Sequence, residues 1–391
     1  MGEQPLRVGV LGVGMIATVG YGVLPGLRHI PDKVELVAVA DPVLERAKDV
    51  AREYGAAGAY ARLEDMLDGA ELDAVVNLTP IPLHGATSRM ILEAGKHLVS
   101  EKPLATSMED ADAIVELAAA KGLTVVCSPP NMINPGHAEA RRLVQCGTIG
   151  KVAFARVRAS HGGPASGAWP TDPTWFYQEG SGPLFDMGVY GIHEITGILG
   201  PAKRVVAYSG ITEPTRLVRG GPFRDTEIRV TANDNTVMML DFGDATYALL
   251  DGTFNVNAAL SPKIEIFGRE GTLNLNQGSE RPPLEVFRLD AVPELGGWIA
   301  PNLRELRTNQ QWVDLLHRGV LVDHLVDCVR GGEPPVLSAE HARHALEIML
   351  KAEESARRGV VVELATTFAP PVVTRRAAWK PPLVRTADSL P

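Results

Sequence analysis

The sequence predicts an α/β protein in two parts: an N-terminal doubly wound parallel sheet and a C-terminal α+β domain built on a large, mostly antiparallel open sheet. Three observations predict it. Short apolar strands alternate with helical stretches from Arg7 to Cys127, the rhythm of a parallel sheet covered on both faces. That rhythm breaks at Ser128-Pro129-Pro130-Asn131. Beyond it, short strands are separated by Asn233-Asp234-Asn235, Gly243-Asp244 and Gly268-Arg269-Glu270-Gly271, which are turn signals of antiparallel hairpins. The 391 residues suffice for two cores. The expected division is 1–128, 129–362 and an extended Pro- and Arg-containing arm over 363–391.

The first element is the strand Arg7-Val8-Gly9-Val10-Leu11, followed directly by Gly12-Val13-Gly14-Met15-Ile16-Ala17. This is G-x-G-x-x-A between a strand and a helix: one glycine for the tight turn, one for close approach of a pyrophosphate, and a small residue for helix–strand packing. Gly12, Gly14, Met15 and Ile16 are therefore candidate cofactor contacts. A second strand, Val34 to Ala40, ends in Asp41, where a carboxylate accepts from both ribose hydroxyls and repels a 2′-phosphate. Strand, glycine turn, helix, strand and acid together predict a Rossmann domain binding NAD in preference to NADP. The uncharged run from Val8 to Leu27 mimics a signal or membrane segment, but its glycines and Pro25 suit a nucleotide-binding turn better.

Helical spacing then runs from Val43 to Tyr54 and near Leu63 to Leu67, before the strand Ala74 to Leu78. Thr79-Pro80 ends that strand, and His84 opens a helix reaching Ala94. Strand 97–100 delivers Glu101-Lys102-Pro103, helix 107–121 follows, and Thr124 to Cys127 closes the series. Thr79, Pro80, His84, Glu101 and Lys102 thus fall at the carboxyl edge of the sheet, where open α/β sheets bind ligands. A lysine there, its pKa lowered by desolvation and a cationic cofactor ring, is suited to move a hydroxyl proton.

In the second part, helix 137–145 and strand Val152 to Ser160 lead to an irregular segment, His161 to Gly182, carrying Trp169 and Trp175. Asn131, His161, Trp169 and Trp175 are the candidate substrate contacts, the tryptophans because aromatic faces suit sugar C–H faces or, equally, pack beneath the loop. Gly180 to His193 begins a helix ending near Leu199, in which Asp186, Tyr190 and His193 stand at i, i+4 and i+7 on one face. A stripe of only Asp, Tyr and His reads as the lining of a pocket. Val237 to Leu240 and Ala248 to Leu250 are apolar on both faces, so one side is expected to meet a second subunit. Helices near Leu315–Arg330 and Ala339–Arg358 complete the domain.

Composition narrows the function. A net charge of −9 without a basic block argues against nucleic acid. Cys127, Cys146 and Cys328 are scattered, so neither a disulfide framework nor a metal site is expected, and a reducing, cytoplasmic setting is.

The order of G-x-G-x-x-A, Asp41, Thr79-Pro80 with His84, Glu101-Lys102-Pro103 and Gly182-Pro183-Leu184-Phe185-Asp186-Met187-Gly188-Val189-Tyr190 resembles the Gfo/Idh/MocA oxidoreductases, those of glucose-fructose oxidoreductase and inositol dehydrogenase. The resemblance implies a Rossmann domain, a C-terminal domain whose open sheet forms dimers or tetramers, a proton-moving lysine at Lys102, and carbohydrate or cyclitol substrates. Many members have His and Asp where this chain has Tyr190 and His193, and Arg where it has Met132; Tyr at that position is similar to the glucose-fructose oxidoreductase and dihydrodiol dehydrogenase branches. The expected reaction is hydride transfer between a secondary hydroxyl of a sugar, glycoside or cyclitol and NAD. Lys102 takes the hydroxyl proton, Tyr190 or His193 relays it, and Asp186 orients. Two rivals stand beside it: glycoside cleavage through transient oxidation and elimination, and a non-enzymatic dinucleotide-binding sensor or assembly subunit.

Overall fold

The computed structural model describes residues 4–276, 281–289, 297–301, 303 and 318–370. Of the arm expected over 363–391, residues 371–391 lie outside them, as do residues 315–317 of the expected helix; residues 363–370 are docked rather than extended, Glu363 pairing with Arg204 and the Phe368 ring stacking on His341. The N-terminal sheet comprises β1 (Leu6–Leu11), β2 (Val34–Ala40), β3 (Gly58–Tyr60), β4 (Ala74–Asn77), β5 (His97–Ser100) and β6 (Val125–Cys127). All pairs are parallel in the order β3-β2-β1-β4-β5-β6. Strand order reverses beside β1, so the crevice between the ends of β1 and β4 is the switch point where a dinucleotide sits. The uncharged run from Val8 to Leu27 folds as part of β1 and two short helices, α1 (Met15–Thr18) and α2 (Val23–Leu27). Among the described residues no helix is long and apolar enough to cross a membrane.

The remaining Rossmann helices are α3 (Leu44–Tyr54), α4 (Leu63–Gly69), α5 (His84–Glu93) and α6 (Met108–Lys121). α6 shows why such helices begin and end where they do. The Ser107 hydroxyl accepts the Asp110 N–H at its start, and Gly122, at φ 62°, closes its end in the left-handed region, as capping chemistry requires.

The C-terminal part opens with α7 (Pro135–Gln145) and β7 (Val152–Arg158), followed by α8 (Val189–Leu199). The strands β8 (Arg204–Gly210), β11 (Asn235–Gly243), β12 (Thr246–Thr253), β13 (Ile264–Gly268), β14 (Gly271–Leu275), β15 (Leu284–Arg288), β16 (Trp298–Ile299) and β17 (Val362–Glu363) join β7 in one nine-stranded sheet. Its order is β16-β15-β14-β13-β7-β12-β11-β8-β17. The expected meander is thus a mixed sheet: β7 inserts between β13 and β12 and pairs with β12 in parallel. Two short strands, β9 (Thr215–Leu217) and β10 (Glu227–Arg229), form a separate hairpin.

One face of the large sheet is covered by helices, and the other exposes an apolar field. Tyr208 pairs with Val237, Met239 with Leu249, and Tyr247 with Phe154, and all six are exposed. Alternate residues Met238, Leu240, Ala248 and Leu250 are fully buried, as period-two alternation demands.

The last helices do not stay with the second domain. α9 (Gly319–Gly331) returns to the Rossmann layer, where Lys33 Nζ bridges Asp323 at 2.7 Å and Asp327 at 2.6 Å. α10 (Ala339–Arg358) packs on α6, α8 and β8, and Arg343 reaches Asp112 at 3.1 Å. Both parts therefore share a single contiguous core.

Between α8 and α10 lie three buried histidines, His193, His341 and His344. Burial pushes His193 down to about 3, His344 down to about 4, and His341 well below the ordinary value. The unfolded chain takes up these protons near pH 6.5 while the native chain stays neutral, so stability is lost as pH falls from about 6.5 toward 4. Each histidine adds about 1.4 kcal/mol per pH unit to that slope. Thermal melts between pH 7 and 4.5 are expected to show a steep fall in midpoint that His344→Gln makes shallower; a flat profile refutes the assignment.

Candidate active site

The cofactor crevice is shaped by backbone first. Gly12 sits at φ +84°, and a Cβ there would lie 2.7 Å from the Leu78 carbonyl oxygen. Only glycine fits that turn. Nothing lies within 4 Å of where a Gly14 Cβ would stand, leaving the approach open to a pyrophosphate, with Met15 and Ile16 following at the start of α1. Asp41 is buried and already aimed: Oδ2 accepts the Val13 N–H at 3.1 Å and Oδ1 the Val43 N–H at 2.9 Å. These residues fit a dinucleotide. Arg46 Nη1 stands 3.4 Å from Asp41 Oδ2 with its side chain half exposed, within reach of a 2′-phosphate once the carboxylate is gone. Asp41→Ser is therefore expected to raise the KM for NAD and lower that for NADP, each about tenfold; an unchanged cofactor preference in steady-state assays counts against the assignment.

Around the switch point, Asn77 organises the β4 end. Its Nδ2 donates to Thr87 Oγ1 and Ser88 Oγ, and its Oδ1 accepts from Thr79 Oγ1 at 2.8 Å. Pro80 is exposed beside it. His84 and Glu101, expected to touch the cofactor, stand at this edge and hydrogen-bond to the protein around it. The His84 ring lies between the Pro103 and Thr79 carbonyl oxygens, 2.7 Å from each. It braces the two loops that frame the crevice. Glu101 Oε2 accepts the Lys102 N–H at 3.1 Å, and Oε1 pairs with Arg318.

Lys102 extends from the β5 end across to α8. Its Nζ donates to the Asp186 carbonyl oxygen at 2.6 Å and to Asp186 Oδ1 at 3.2 Å, and it stands 5.0 Å above the centre of the Tyr190 ring. Burial pulls the amine down, but Tyr190, Asp186 and Glu101 outweigh that effect and the opposing Arg318. The amine is held above its ordinary value, contrary to the lowering expected from the sequence, because three anion-bearing or acceptor groups surround it. Lys102 rests as ammonium. His161 joins the cluster: its Nδ1 accepts the Gly163 N–H at 2.9 Å, which leaves the proton on Nε2, 3.9 Å from Asp186 Oδ2. Burial lowers the His161 pKa despite the pull of Asp186, and Lys102 lowers it further, so the ring is neutral.

Arg318, which no sequence motif marked, ties the site together. Besides Glu101, its guanidinium donates to Ser128 Oγ at 3.3 Å and to the Tyr190 hydroxyl at 3.2 Å. The Tyr190 oxygen thus accepts from arginine, and its own hydrogen remains available to a ligand.

Three expected site residues stand elsewhere. His193 does not join Lys102; its ring packs 4.6 Å from that of His341 inside the α8–α10 core. The first turn, Leu184–Gly188, is a wide π turn rather than α, and three residues beyond Tyr190 lies about 60° round the α-helix axis. Asn131 donates to Glu194, which also receives Lys263 Nζ at 2.7 Å and faces His137 Nε2 at 3.2 Å. Lys263 and His137 hold that buried carboxyl at about 2 although burial alone would raise it, so Asn131 serves an internal ion cluster. Trp169 packs edge-on against Phe176 at 5.3 Å, the packing reading of the loop, whereas Trp175 is exposed.

A Rossmann crevice and an aimed lysine, faced by Asp186 and Tyr190 from the second domain, define a dinucleotide-dependent oxidoreductase. Residues 6–128 match the oxidoreductase family domain with NAD-binding Rossmann fold, and residues 137–274 the GFO/IDH/MocA C-terminal domain. The chain belongs to the Gfo/Idh/MocA oxidoreductase family, and its cofactor is NAD. It is 24% identical over 367 residues to the scyllo-inositol 2-dehydrogenase (NAD(+)) of Bacillus subtilis, covering 93% of this chain and 97% of that one. It is 26% identical over 320 residues to the levoglucosan dehydrogenase of Pseudarthrobacter phenanthrenivorans, covering 75% and 79%. The fold is similar to that of the WlbA dehydrogenase from Bordetella pertussis, solved with NADH and UDP-GlcNAcA, with TM-score 0.75 and 21% identity over 93% of this chain and 99% of that one.

Proposed function

We propose that this chain interconverts a secondary alcohol and a ketone on a sugar, glycoside or cyclitol, with Lys102 as the proton donor and acceptor. The observation that carries it is the Lys102–Asp186 contact, made across 84 residues of sequence between two domains. Bound NAD supplies the hydride acceptor. In the reductive direction the Lys102 ammonium presents a proton to the carbonyl oxygen; in the oxidative direction the deprotonated amine takes the hydroxyl proton. Asp186 fixes the amine, and the Tyr190 hydroxyl, accepting from Arg318, directs its hydrogen to the same substrate oxygen or a neighbouring one. The relatives named for inositol and levoglucosan support the substrate class. A screen of sugars, glycosides and inositols for NADH formation tests it, with product mapping to locate the oxidised carbon. Free sugar released without NADH accumulation would place the chemistry in transient oxidation and elimination instead.

The same reading includes a homo-oligomer closed through the apolar sheet face. Light scattering is expected to show a dimer or larger assembly that Met239→Asp with Leu249→Asp dissociates; a wild-type monomer refutes it.

A further inference from the structure

Beside the reaction centre lies a cavity of about 530 Å³ that the chemistry above does not use. Gly162 and Phe254 form one side of it. Gly162 directly follows His161, and the Phe254 ring is 5.3 Å from the His161 ring, so cavity and reaction centre share a wall. The far side is the β9–β10 hairpin and its approaches, with Glu213, Arg216, Arg219 and Glu227. The volume is that of a small-ligand pocket, about 300–1,000 Å³.

The walls are built rather than incidental. The Trp-bearing loop and the hairpin have their own small core, including Ala165, Tyr177, Val218, Ile228 and Phe254, separate from the main one. Gly221, at φ +74°, lets the hairpin close on the loop, since a Cβ there would lie 2.8 Å from the Trp169 carbonyl oxygen. Arg216 is locked: Nη2 donates to Asp234 Oδ2 at 2.6 Å and to Asn255 Oδ1 at 2.5 Å.

The lining chooses the ligand class. Arg216 is already paired with the buried Asp234, so Glu213 and Glu227 are left to repel an anion and Arg219 to oppose a cation. Carboxylates that accept, the Arg219 guanidinium that donates and the Asn257 amide that does both together match a neutral group rich in hydroxyls, each of which both donates and accepts. We propose that this cavity is a second subsite. It holds a neutral sugar ring linked to the ring on which Lys102 acts, and the preferred substrate is a glycoside or oligosaccharide rather than a free monosaccharide. The inference rests on the reading of the Lys102 centre given above.

The test compares glucose and galactose with cellobiose, maltose and lactose as substrates with NAD, in the wild-type chain and in Glu227→Gln/Asn257→Ala. Both positions are exposed and outside the reaction centre, and melting temperatures check the fold. At least one disaccharide is expected to show a kcat/KM about tenfold or more above its monosaccharide. The double substitution is expected to erase that advantage through KM, leaving kcat, monosaccharide constants and NAD affinity unchanged. No advantage, or one that survives the substitution, overturns the subsite. Saturation-transfer NMR of the same disaccharides on the NADH-bound protein separates the two readings. If none of these five sugars turns over, Lys102 does not act on a simple hexose or hexoside; disaccharide binding that the substitution abolishes still upholds the cavity, and its absence overturns it.

Discussion

Replacing Lys102 by methionine is expected to lower turnover about 10²–10⁴-fold, the usual contribution of a positioned proton-transfer group. Methionine keeps the unbranched apolar stem of the side chain but loses the charged end that Asp186 holds at 3.2 Å. Because the lost interaction acts on the reacting oxygen, kcat and kcat/KM should fall together. NAD affinity, set by Gly12, Gly14 and Asp41, should stay within about twofold. Stopped-flow absorbance at saturating substrate, with cofactor titration by fluorescence, checks both. The amine of the wild-type chain is held above its ordinary value of 10.5, so it is ammonium at neutral pH. Oxidative turnover should climb from pH 7 to 10 as free amine accumulates, whereas reductive turnover, fed by an ammonium that persists over that range, should stay nearly level. Lys102→Met should flatten the oxidative climb; undiminished turnover removes Lys102 from the mechanism.

Arg318→Met is expected to cost about 3–5 kcal/mol of stability, the penalty for leaving a buried carboxylate without its partner. The carboxylate is that of Glu101, whose side chain is 10% exposed against 14% for Arg318. Pairing the change with Glu101→Gln should recover most of the loss, because the amide carries no charge to strand. Turnover should remain reduced in the double variant, since the Tyr190 hydroxyl has lost its donor. Urea denaturation with steady-state kinetics separates the two effects. Equal midpoints for wild type and Arg318→Met would falsify the stability assignment.

Local motifs were legible because local backbone carries them. Gly12 is glycine for a turn whose partner, Leu78, ends the neighbouring strand, and Asp41 is aimed by the N–H groups of Val13 and Val43, so strand–turn–strand spacing reveals both. Lys102 was legible as a residue leaving a strand end, and Asp186 and Tyr190 as one helical turn apart. His193 was misplaced because periodicity assumed a regular helix where the first turn is wide. His84 and Glu101 were placed at the correct edge, yet spacing says nothing about where a side chain spends its hydrogen bonds. Asn131 faces Glu194 across 63 residues, a distance at which no periodicity operates.

What the sequence by itself determined is the order of strands and helices, the dinucleotide turn, the choice of NAD and the place of Lys102 at the carboxyl end of a strand, because each follows from short-range sterics and hydrophobic period. Only the tertiary structure decided the charge state of Lys102, the inward turn of His193, and the part of Arg318, which meets Glu101 across 217 residues. Those depend on burial and on fields from groups brought together by packing α8, α9 and α10 against one another and the Rossmann layer, and such fields fall off in space rather than along the chain.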